Sequence, residues 1–241
     1  KYYEDSFLKS IFLIIYSKKY YKILKNNPIK ILALSSFHLN SLINIGIDEK
    51  KISLFYNPIS VAQNQNLQYN SKSNYIVYAG RLTNSKGVYE MLNAWVKSDL
   101  AKLEFRIVGT GDIAENLKSE FSLKNIKFLG EIDNEKVLET INGARAVITA
   151  TKMYEGQPRL LSEASMYGVP SIYPNFGSMP EFFPENYSFT FKQYDYNSLT
   201  KIINLLEDEQ LLQKASKNLF SHFEKLLSEE NLKNQFYKAL I

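Results

Sequence analysis

One loop of the sequence combines two cations with two glycines. Residues 80–87 (Gly-Arg-Leu-Thr-Asn-Ser-Lys-Gly) follow an apolar segment and precede a helical pattern. Glycines let backbone N–H groups approach a ligand closely, while Arg81 offers a forked guanidinium and Lys86 a compact charge. The combination predicts a phosphate-binding loop. The alternative is a surface turn whose cations are solvated.

Two carboxylates, Glu155 and Glu163, flank Pro158. Proline is common at the first position of a helix, and glycine often follows the last. Pro158 and Gly168 therefore predict a helix over 158–167. Glu155 then precedes the helix and Glu163 lies inside it, with roughly 8–12 Å between the carboxylates. That distance is too long for the paired acids of a glycosidase that forms a covalent intermediate. It suits two contacts on one long ligand with a negative centre between them, which is the shape of a nucleotide sugar.

Glu163 stands among apolar helix residues, so its carboxylate needs polar partners. The two hydroxyls of a ribose would supply them. The structural alternative is an ion pair between Glu163 and a nearby Lys or Arg.

Two further loops carry weaker signals. The Gly109-Thr110-Gly111 turn lacks the third glycine of a dinucleotide fingerprint, so it does not indicate NAD or FAD binding. Residues 130–133 follow another apolar segment, and Asp133 is expected to cap a helix.

The elements that position these loops alternate regularly beyond residue 75. Short strands that alternate with helices indicate βαβ units, and hence a doubly wound, Rossmann-like α/β fold whose parallel sheet is covered on both faces. In such a sheet, ligands bind at the carboxyl ends of the strands, where the winding direction switches. Strands are expected at 75–79, 103–108, 126–129, 146–150 and 169–173; helices are expected at 88–96, 113–121, 135–141 and 158–167, with two or three more over 197–240.

The first part of the chain has its own pattern. An amphipathic helix is expected over 6–25, a strand over 29–34, a helix ending near Gly46, and a strand over 52–56. The apolar face of the first helix fits the core of a domain, and its lysines allow contact with an anionic membrane. Residues 61–74 are polar and predict a linker.

Composition excludes several classes of protein. With 45% hydrophobic and 22% charged residues, the 241-residue chain has the balance of a globular protein. The absence of cysteine excludes disulfides, a thiol nucleophile and a zinc–thiolate site, and two histidines do not make a metal centre. A net charge of +4 is too small to indicate nucleic-acid binding. The longest apolar run, 11–16, is too short to span a membrane, so we expect a soluble chain; its first residue is not Met, so we expect a natural start upstream.

The string over 75–87, the Glu155-x7-Glu163 motif and residues 168–170 together resemble the C-terminal half of retaining glycosyltransferases of family 4, which have the GT-B fold. The resemblance extends over 31–241. It implies four parts: 1–60 as a remnant of the N-terminal acceptor domain, 61–74 as linker, 75–228 as the nucleotide-sugar-binding domain, and 229–241 as the C-terminal crossover helix.

The resemblance also implies roles for individual residues. Arg81 and Lys86 would hold the diphosphate and neutralise the leaving group, Glu163 would bind the ribose hydroxyls, and Glu155 would contact the donor sugar. The rest of the donor site would comprise Gly80, Gly109, Gly111, the Ile132 main chain beside the base, the Gly156 and Gln157 backbone, and the loop with Gly177 and Glu181.

The sequence departs from this family at two places. Gln157-Pro158 replaces a common Phe-Gly, and Pro158 has no N–H to offer a ligand. Ser178 stands where a second glycine is common. Neither change removes a charged contact.

The implied activity is transfer of a sugar from a UDP or GDP sugar to a glycan or lipid-linked cell-surface acceptor, with retention at the anomeric carbon. No cofactor is expected, and because the chain has no Asp-x-Asp, its cations and a helix dipole would replace a metal. The expected location is cytoplasmic, at the inner face of the membrane, with peripheral contact through the N-terminal domain. The 241-residue chain alone is expected to be inactive.

Two other functions stay open. A non-catalytic nucleotide-sugar-binding module that supports a partner transferase would have the same donor site, and a βαβ-patterned domain upstream would distinguish the enzyme from it. A sugar-nucleotide epimerase fits the sheet but does not require this spacing of carboxylates and cations.

Overall fold

The computed structural model describes residues 6–59, 69–70 and 73–240, which divide into two compact units. The first contains the described residues of Lys1–Tyr56 and Lys233–Ile241, and the second those of Asn57–Leu232. Residues 61–68 and 71–72 of the expected linker lie outside the described residues.

The first unit is small. The helices α1 (Phe7–Asn26) and α2 (Ser36–Asn44) accompany the parallel pair β1 (Ile31–Ala33) and β2 (Ile52–Leu54). Its core centres on Ala33, Ile47 and Ile52, against which Tyr21 and Leu24 of α1 pack. The sequence predicts these four elements to within a few residues.

The N-terminal half of α1 differs from the expected amphipathic helix. Ile11 to Tyr16 are six consecutive apolar residues, and six successive positions pass completely around a helix. No described residue of α1 is buried, and Phe12 is 73% exposed. The apolar side chains therefore surround this part of the helix instead of forming one face.

The second unit is built on a six-stranded parallel sheet in the order β5-β4-β3-β6-β7-β8. This arrangement confirms the predicted doubly wound α/β fold. The strands are β3 (Tyr75–Ala79), β4 (Glu104–Val108), β5 (Ile126–Gly130), β6 (Ala146–Ile148), β7 (Ser171–Pro174) and β8 (Thr190–Phe191). The helices are α3 (Val88–Val96), α4 (Ala114–Glu120), α5 (Asn134–Asn142), α6 (Arg159–Met166), α7 (Tyr196–Asn204), α8 (Glu209–Leu226) and α9 (Glu229–Leu240), whose residues from Lys233 onward belong to the first unit.

Both faces of the central strands are buried. Ile76, Val77 and Tyr78 in β3 are consecutive and almost wholly inaccessible, as are the three residues of β6. Since successive side chains of a strand point to opposite faces, such runs mean that helices cover the sheet on both sides. The carboxyl ends of the strands are therefore the edge where loops can form a site.

The remaining differences from the expected elements are small. The two-residue strand β8 carries no periodic pattern and was not predicted. Asp133 occupies the N-cap position of α5, but its side chain makes no capping hydrogen bond. Among the described helices, none is long and apolar enough to cross a bilayer.

His222 in α8 gives this fold a testable pH dependence. Burial lowers its pKa from 6.5, although a hydrogen bond with the Phe182 main chain opposes the shift. The folded state thus prefers the neutral imidazole, and the unfolded chain binds more protons as the pH falls below 6.5. We expect the melting temperature to fall on acidification from about pH 7 to about pH 5, and to fall less in His222→Gln.

Thermal melting followed by circular dichroism would check this expectation. His38→Gln, the same substitution at the other histidine of the chain, controls for loss of an imidazole. An identical pH profile for wild type and His222→Gln would contradict it.

Candidate functional site

The winding direction of the sheet switches between β3 and β6. From β3 the chain moves outward to β4 and β5, and from β6 it moves outward the other way to β7 and β8. β3 and β6 are hydrogen-bonded neighbours, with Ile76 opposite Ala146 and Val77 opposite Val147. The loops that leave these two strands therefore meet at the position where such sheets bind ligands.

These two loops approach each other at Gly87. This residue has φ +67°, and a Cβ on it would collide with the carbonyl oxygen of Ala150. Beside it, the Lys152 N–H donates to the Ser85 carbonyl at 2.8 Å. Only glycine satisfies both the backbone conformation and the space at this position.

Lys86 and Glu155 form an ion pair across this junction. Lys86 Nζ lies 2.7 Å from Glu155 Oε1, and the same oxygen accepts a hydrogen bond from Thr151 Oγ1 at 3.1 Å. Ser178 Oγ donates to the Glu155 carbonyl at 2.5 Å. Three loops thus fix Glu155 beside a lysine, and both charged side chains are about one-quarter exposed.

Glu163 forms the second ion pair, inside α6. It is 7% exposed, and its Oε1 accepts a hydrogen bond from Arg159 Nε at 2.6 Å. The partner guanidinium belongs to a side chain that is 73% exposed. In this structure, Glu163 thus forms the ion pair that is the structural alternative to ribose binding. Because an unpaired buried carboxylate is costly, a ligand that displaces Arg159 must itself donate hydrogen bonds to Glu163.

The N-terminus of α6 has the backbone geometry that favours an anion. The sequence predicts Pro158 as the first helical residue, but it is the N-cap, and α6 begins one residue later at Arg159; proline provides no side-chain acceptor. The N–H groups of the first turn consequently lack a side-chain cap among the described residues. Together with the helix dipole they favour negative charge next to Arg159.

Three cavities surround this helix terminus. The Asn57 cavity (about 340 Å³) includes Asn57, Pro58 and Ile59 in its lining, the Ile132 cavity (about 300 Å³) lies beside the exits of β4 and β5, and the Lys86 cavity (about 230 Å³) lies beside the switch point. Arg159 lines all three, and Glu163 lines the first two. The cavities therefore form one cleft along the start of α6.

The cleft brings together seven of the predicted site residues and leaves five outside its lining. Those in the lining are Gly80, Lys86, Gly109, Ile132, Glu155, Gln157 and Glu163, whereas Arg81, Gly111, Gly156, Gly177 and Glu181 do not line these cavities.

Arg81 is exposed at the edge of the cleft, and its carbonyl accepts a hydrogen bond from Tyr78 Oη at 2.9 Å. Burial raises the pKa of Tyr78; the Glu155 charge raises it further and the Arg81 charge lowers it. The phenol thus lies within electrostatic reach of both charged groups.

The predicted loops at Gly111 and Gly177 pack against neighbouring residues and do not line the cavities. Gly111 packs on the Leu82 backbone, where a Cβ would collide. Gly177, at φ +62°, leaves room for the Tyr154 ring, and a Cβ there would lie 3.0 Å from Tyr154 Cδ1. Glu181 belongs to the short 3-10 helix Met179–Phe182 that follows this turn.

Sequence reasoning missed three residues of this site. Arg159 stands four positions before Glu163 in a predicted helix, and this i,i+4 spacing was the available signal. Tyr78 and Thr151 lie in or after apolar strand segments and carry no local signal. Within the described parts of the chain, no group of three His, Asp or Glu side chains comes together as a metal-binding set.

Comparison with known families agrees with this geometry. Residues 61–238 match the family described as Glycosyl transferases group 1. The chain belongs to this family. The match covers the six-stranded sheet and the whole cleft except the segment 57–59.

Two curated proteins are similar in sequence to this glycosyltransferase chain. One is an uncharacterized 41.2 kDa protein of the cps region of Klebsiella pneumoniae, 26% identical over 75% of this chain and 52% of the relative. The other is the amylovoran biosynthesis glycosyltransferase AmsD of Erwinia amylovora, 28% identical over 57% of this chain and 38% of the relative. The chain thus spans about half the length of the first relative.

Solved structures show the same fold. Anabaena HepE, in complex with UDP and glucose, has a TM-score of 0.79 at 17% identity, over 92% of this chain and 66% of HepE. S. aureus TarM also has a TM-score of 0.79, at 15% identity, over 93% of this chain and 46% of TarM. The glycosyltransferase chain therefore has the α/β architecture of GT-B enzymes.

Alanine substitutions at two glycines test the junction of the loops. Gly130 has φ +70°, close to that of Gly87, but a Cβ on Gly130 would meet no atom within 4 Å. Gly130→Ala should cost about 1–2 kcal/mol of unfolding free energy through its positive φ alone. Gly87→Ala should cost a further 1–3 kcal/mol or so, because the new Cβ must displace the Ala150 backbone.

Urea denaturation of both variants would measure the difference between these two costs. Equal costs would contradict the close approach of the two loops.

Proposed function

We propose that this chain is the donor-binding part of a retaining hexosyltransferase of family 4 type, which transfers a sugar from a nucleoside diphosphate sugar to a glycan or lipid-linked acceptor. The observation that carries the proposal is the convergence of Lys86, Glu155, Arg159 and the N-terminus of α6 on one cleft.

The diphosphate would lie between the cationic loop and the helix terminus. Arg81 and Lys86 would hold it, and Lys86 would exchange its Glu155 partner for a phosphate oxygen. Glu155 would then be free to accept hydrogen bonds from the donor sugar, beside the Gly156 and Gln157 backbone.

The nucleoside would extend along α6 into the Ile132 cavity. Glu163 lines this cavity and would accept hydrogen bonds from the ribose hydroxyls in place of Arg159. The Ile132 main chain would contact the base, and Gly80 and Gly109 would allow close approach of the backbone. Gly111, which packs on the Leu82 backbone, and Gly177, which packs against the Tyr154 ring, would support the donor site without lining the cavities.

Departure of the nucleoside diphosphate places negative charge on its distal phosphate. Fixed cations stabilise that charge in the transition state without reorganising, so Arg81, Lys86 and the helix dipole would serve without a metal. Retention at the anomeric carbon is proposed on the resemblance to family 4.

Relatives guide the choice of donor and acceptor. The UDP complexes of Anabaena HepE favour a uridine nucleotide, and the amylovoran enzyme favours a cell-surface polysaccharide as product. The proposal includes a cytoplasmic location at the inner face of the membrane, where a lipid-linked acceptor would present its sugar.

Calorimetric titration with UDP, GDP and ADP, with and without EDTA, tests the donor site. We expect one diphosphate to bind independently of EDTA, and about 10–100-fold weaker binding in both Lys86→Ala and Glu163→Ala, because each removes a charge-assisted hydrogen bond. Lys118→Ala and Glu115→Ala are matched controls, since they remove the partners of a 2.7 Å ion pair that does not line the cleft.

The titration has two contrary outcomes. Binding that disappears with EDTA would reject the metal-free site. Equal binding by wild type and both cleft variants would reject the proposed contacts.

Turnover by the complete protein tests the role of Lys86 in catalysis. Lys86→Ala should lower kcat by about 10²–10³-fold, since it removes a cation from the leaving phosphate. The measurement is release of nucleoside diphosphate in the presence of acceptor, with Lys118→Ala as control. Near-wild-type turnover by Lys86→Ala would contradict the assignment of Lys86 to the leaving phosphate. Tight donor binding without any turnover in wild type would favour the non-catalytic module.

A further inference from the structure

The side chain of Gln157 pairs with the backbone of Asn57, a hundred residues earlier. The Asn57 N–H donates to Gln157 Oε1 at 2.7 Å, and Gln157 Nε2 donates to the Asn57 carbonyl at 3.1 Å. One carboxamide thus satisfies both main-chain groups of one residue, as a neighbouring strand would. Both residues belong to the second compact unit.

The paired segment belongs to no helix or strand. Residues 55–59 follow β2 without regular structure, and Pro58 cannot donate a backbone hydrogen bond. The residue before a proline is restricted to extended conformations, which presents its N–H and carbonyl to a partner beside it. The carboxamide of Gln157 therefore supplies the hydrogen bonds that a sheet would supply elsewhere.

The backbone of Gln157 lies between two parts of the candidate site, Glu155 and the start of α6. Gln157 lies two residues after Glu155 and immediately before Pro158, the N-cap of α6. It lines both the Asn57 cavity and the Lys86 cavity. Any movement of its backbone would move Glu155 or the start of α6.

The segment that Gln157 holds is a wall of the cleft. Asn57, Pro58 and Ile59 line the cavity of about 340 Å³ whose lining also includes Arg159 and Glu163. We propose that Gln157 is a positioning residue that fixes segment 57–59 as a wall of the nucleotide cleft. The proposal rests on the proposed donor site, and it assigns the carboxamide of Gln157 to this segment and not to the sugar.

A fixed wall lowers the cost of ordering the cleft when a nucleotide enters. Loss of both hydrogen bonds should therefore weaken nucleotide binding about tenfold. It should change kcat little, because both polar groups of the carboxamide are already paired and neither acts on the reacting atoms. The expected signature is a raised KM for the donor at nearly constant kcat.

Hydrogen exchange of the Asn57 amide tests the positioning directly. The amide should exchange slowly in the wild-type chain and at least tenfold faster in Gln157→Ala. Gln157→Glu keeps the acceptor for the Asn57 N–H but places a carboxylate oxygen against the Asn57 carbonyl, so it should give intermediate exchange. Gln210→Ala, which removes an exposed glutamine of α8, should leave Asn57 unchanged.

Titration with UDP then tests the link to the cleft. UDP should slow exchange at Asn57 further in wild type, and it should bind Gln157→Ala about tenfold more weakly at an unchanged melting temperature. Donor KM and kcat of the complete protein would complete the comparison. Equal Asn57 exchange in wild type and Gln157→Ala, or equal UDP affinity in both, would overturn the proposal.

The two proposals fail in different ways. If wild type binds none of UDP, GDP and ADP, the donor site fails, and Asn57 exchange in Gln157→Ala still decides whether Gln157 fixes the segment. If nucleotide binding depends on Lys86 and Glu163 but not on Gln157, the donor site stands and the positioning role is rejected.

Discussion

The loops after β3 and β6 approach so closely that no side chain fits between Gly87 and the Ala150 carbonyl. This contact follows from the parallel pairing of the two strands, which brings their carboxyl ends to the same edge. It places Lys86 on one loop within 2.7 Å of Glu155 on the other. The cleft depends on this junction, because the cationic loop and the N-terminus of α6 reach one ligand only if their loops stay packed.

The two ion pairs explain how such a cleft remains folded without a ligand. A partly buried carboxylate is costly unless it is paired, and Lys86 and Arg159 compensate Glu155 and Glu163 respectively. A bound diphosphate would take over the cations while hydroxyl groups of sugar and ribose turn to the carboxylates. The ion pair with Arg159 and the proposed contact with a ribose would then be two states of Glu163 in one site.

The sequence predicts those parts of the structure that depend on local pattern. It places α3 at the observed residues Val88–Val96, and it locates the loops that form the cleft because strands, glycines and prolines mark their limits. It does not predict the exposure of the apolar side chains of α1, since six consecutive apolar residues have no single face. Nor does it reveal the pairing of Gln157 with Asn57, because a contact between residues a hundred positions apart leaves no periodic signal.

Helix α6 shows why the fold and the site cannot be separated. Leu161 and Ala164 are buried in the core, while Arg159 and Glu163 of the same eight-residue helix line the cleft. Burial of the apolar residues fixes the helix axis, so the N–H groups of the first turn keep one direction. Backbone donors that are already in place need no reorganisation when negative charge develops beside them. The hydrophobic core therefore fixes the direction of the helix N-terminus that would attract negative charge, while Arg159 and Glu163 on the same helix would select the groups beside that charge.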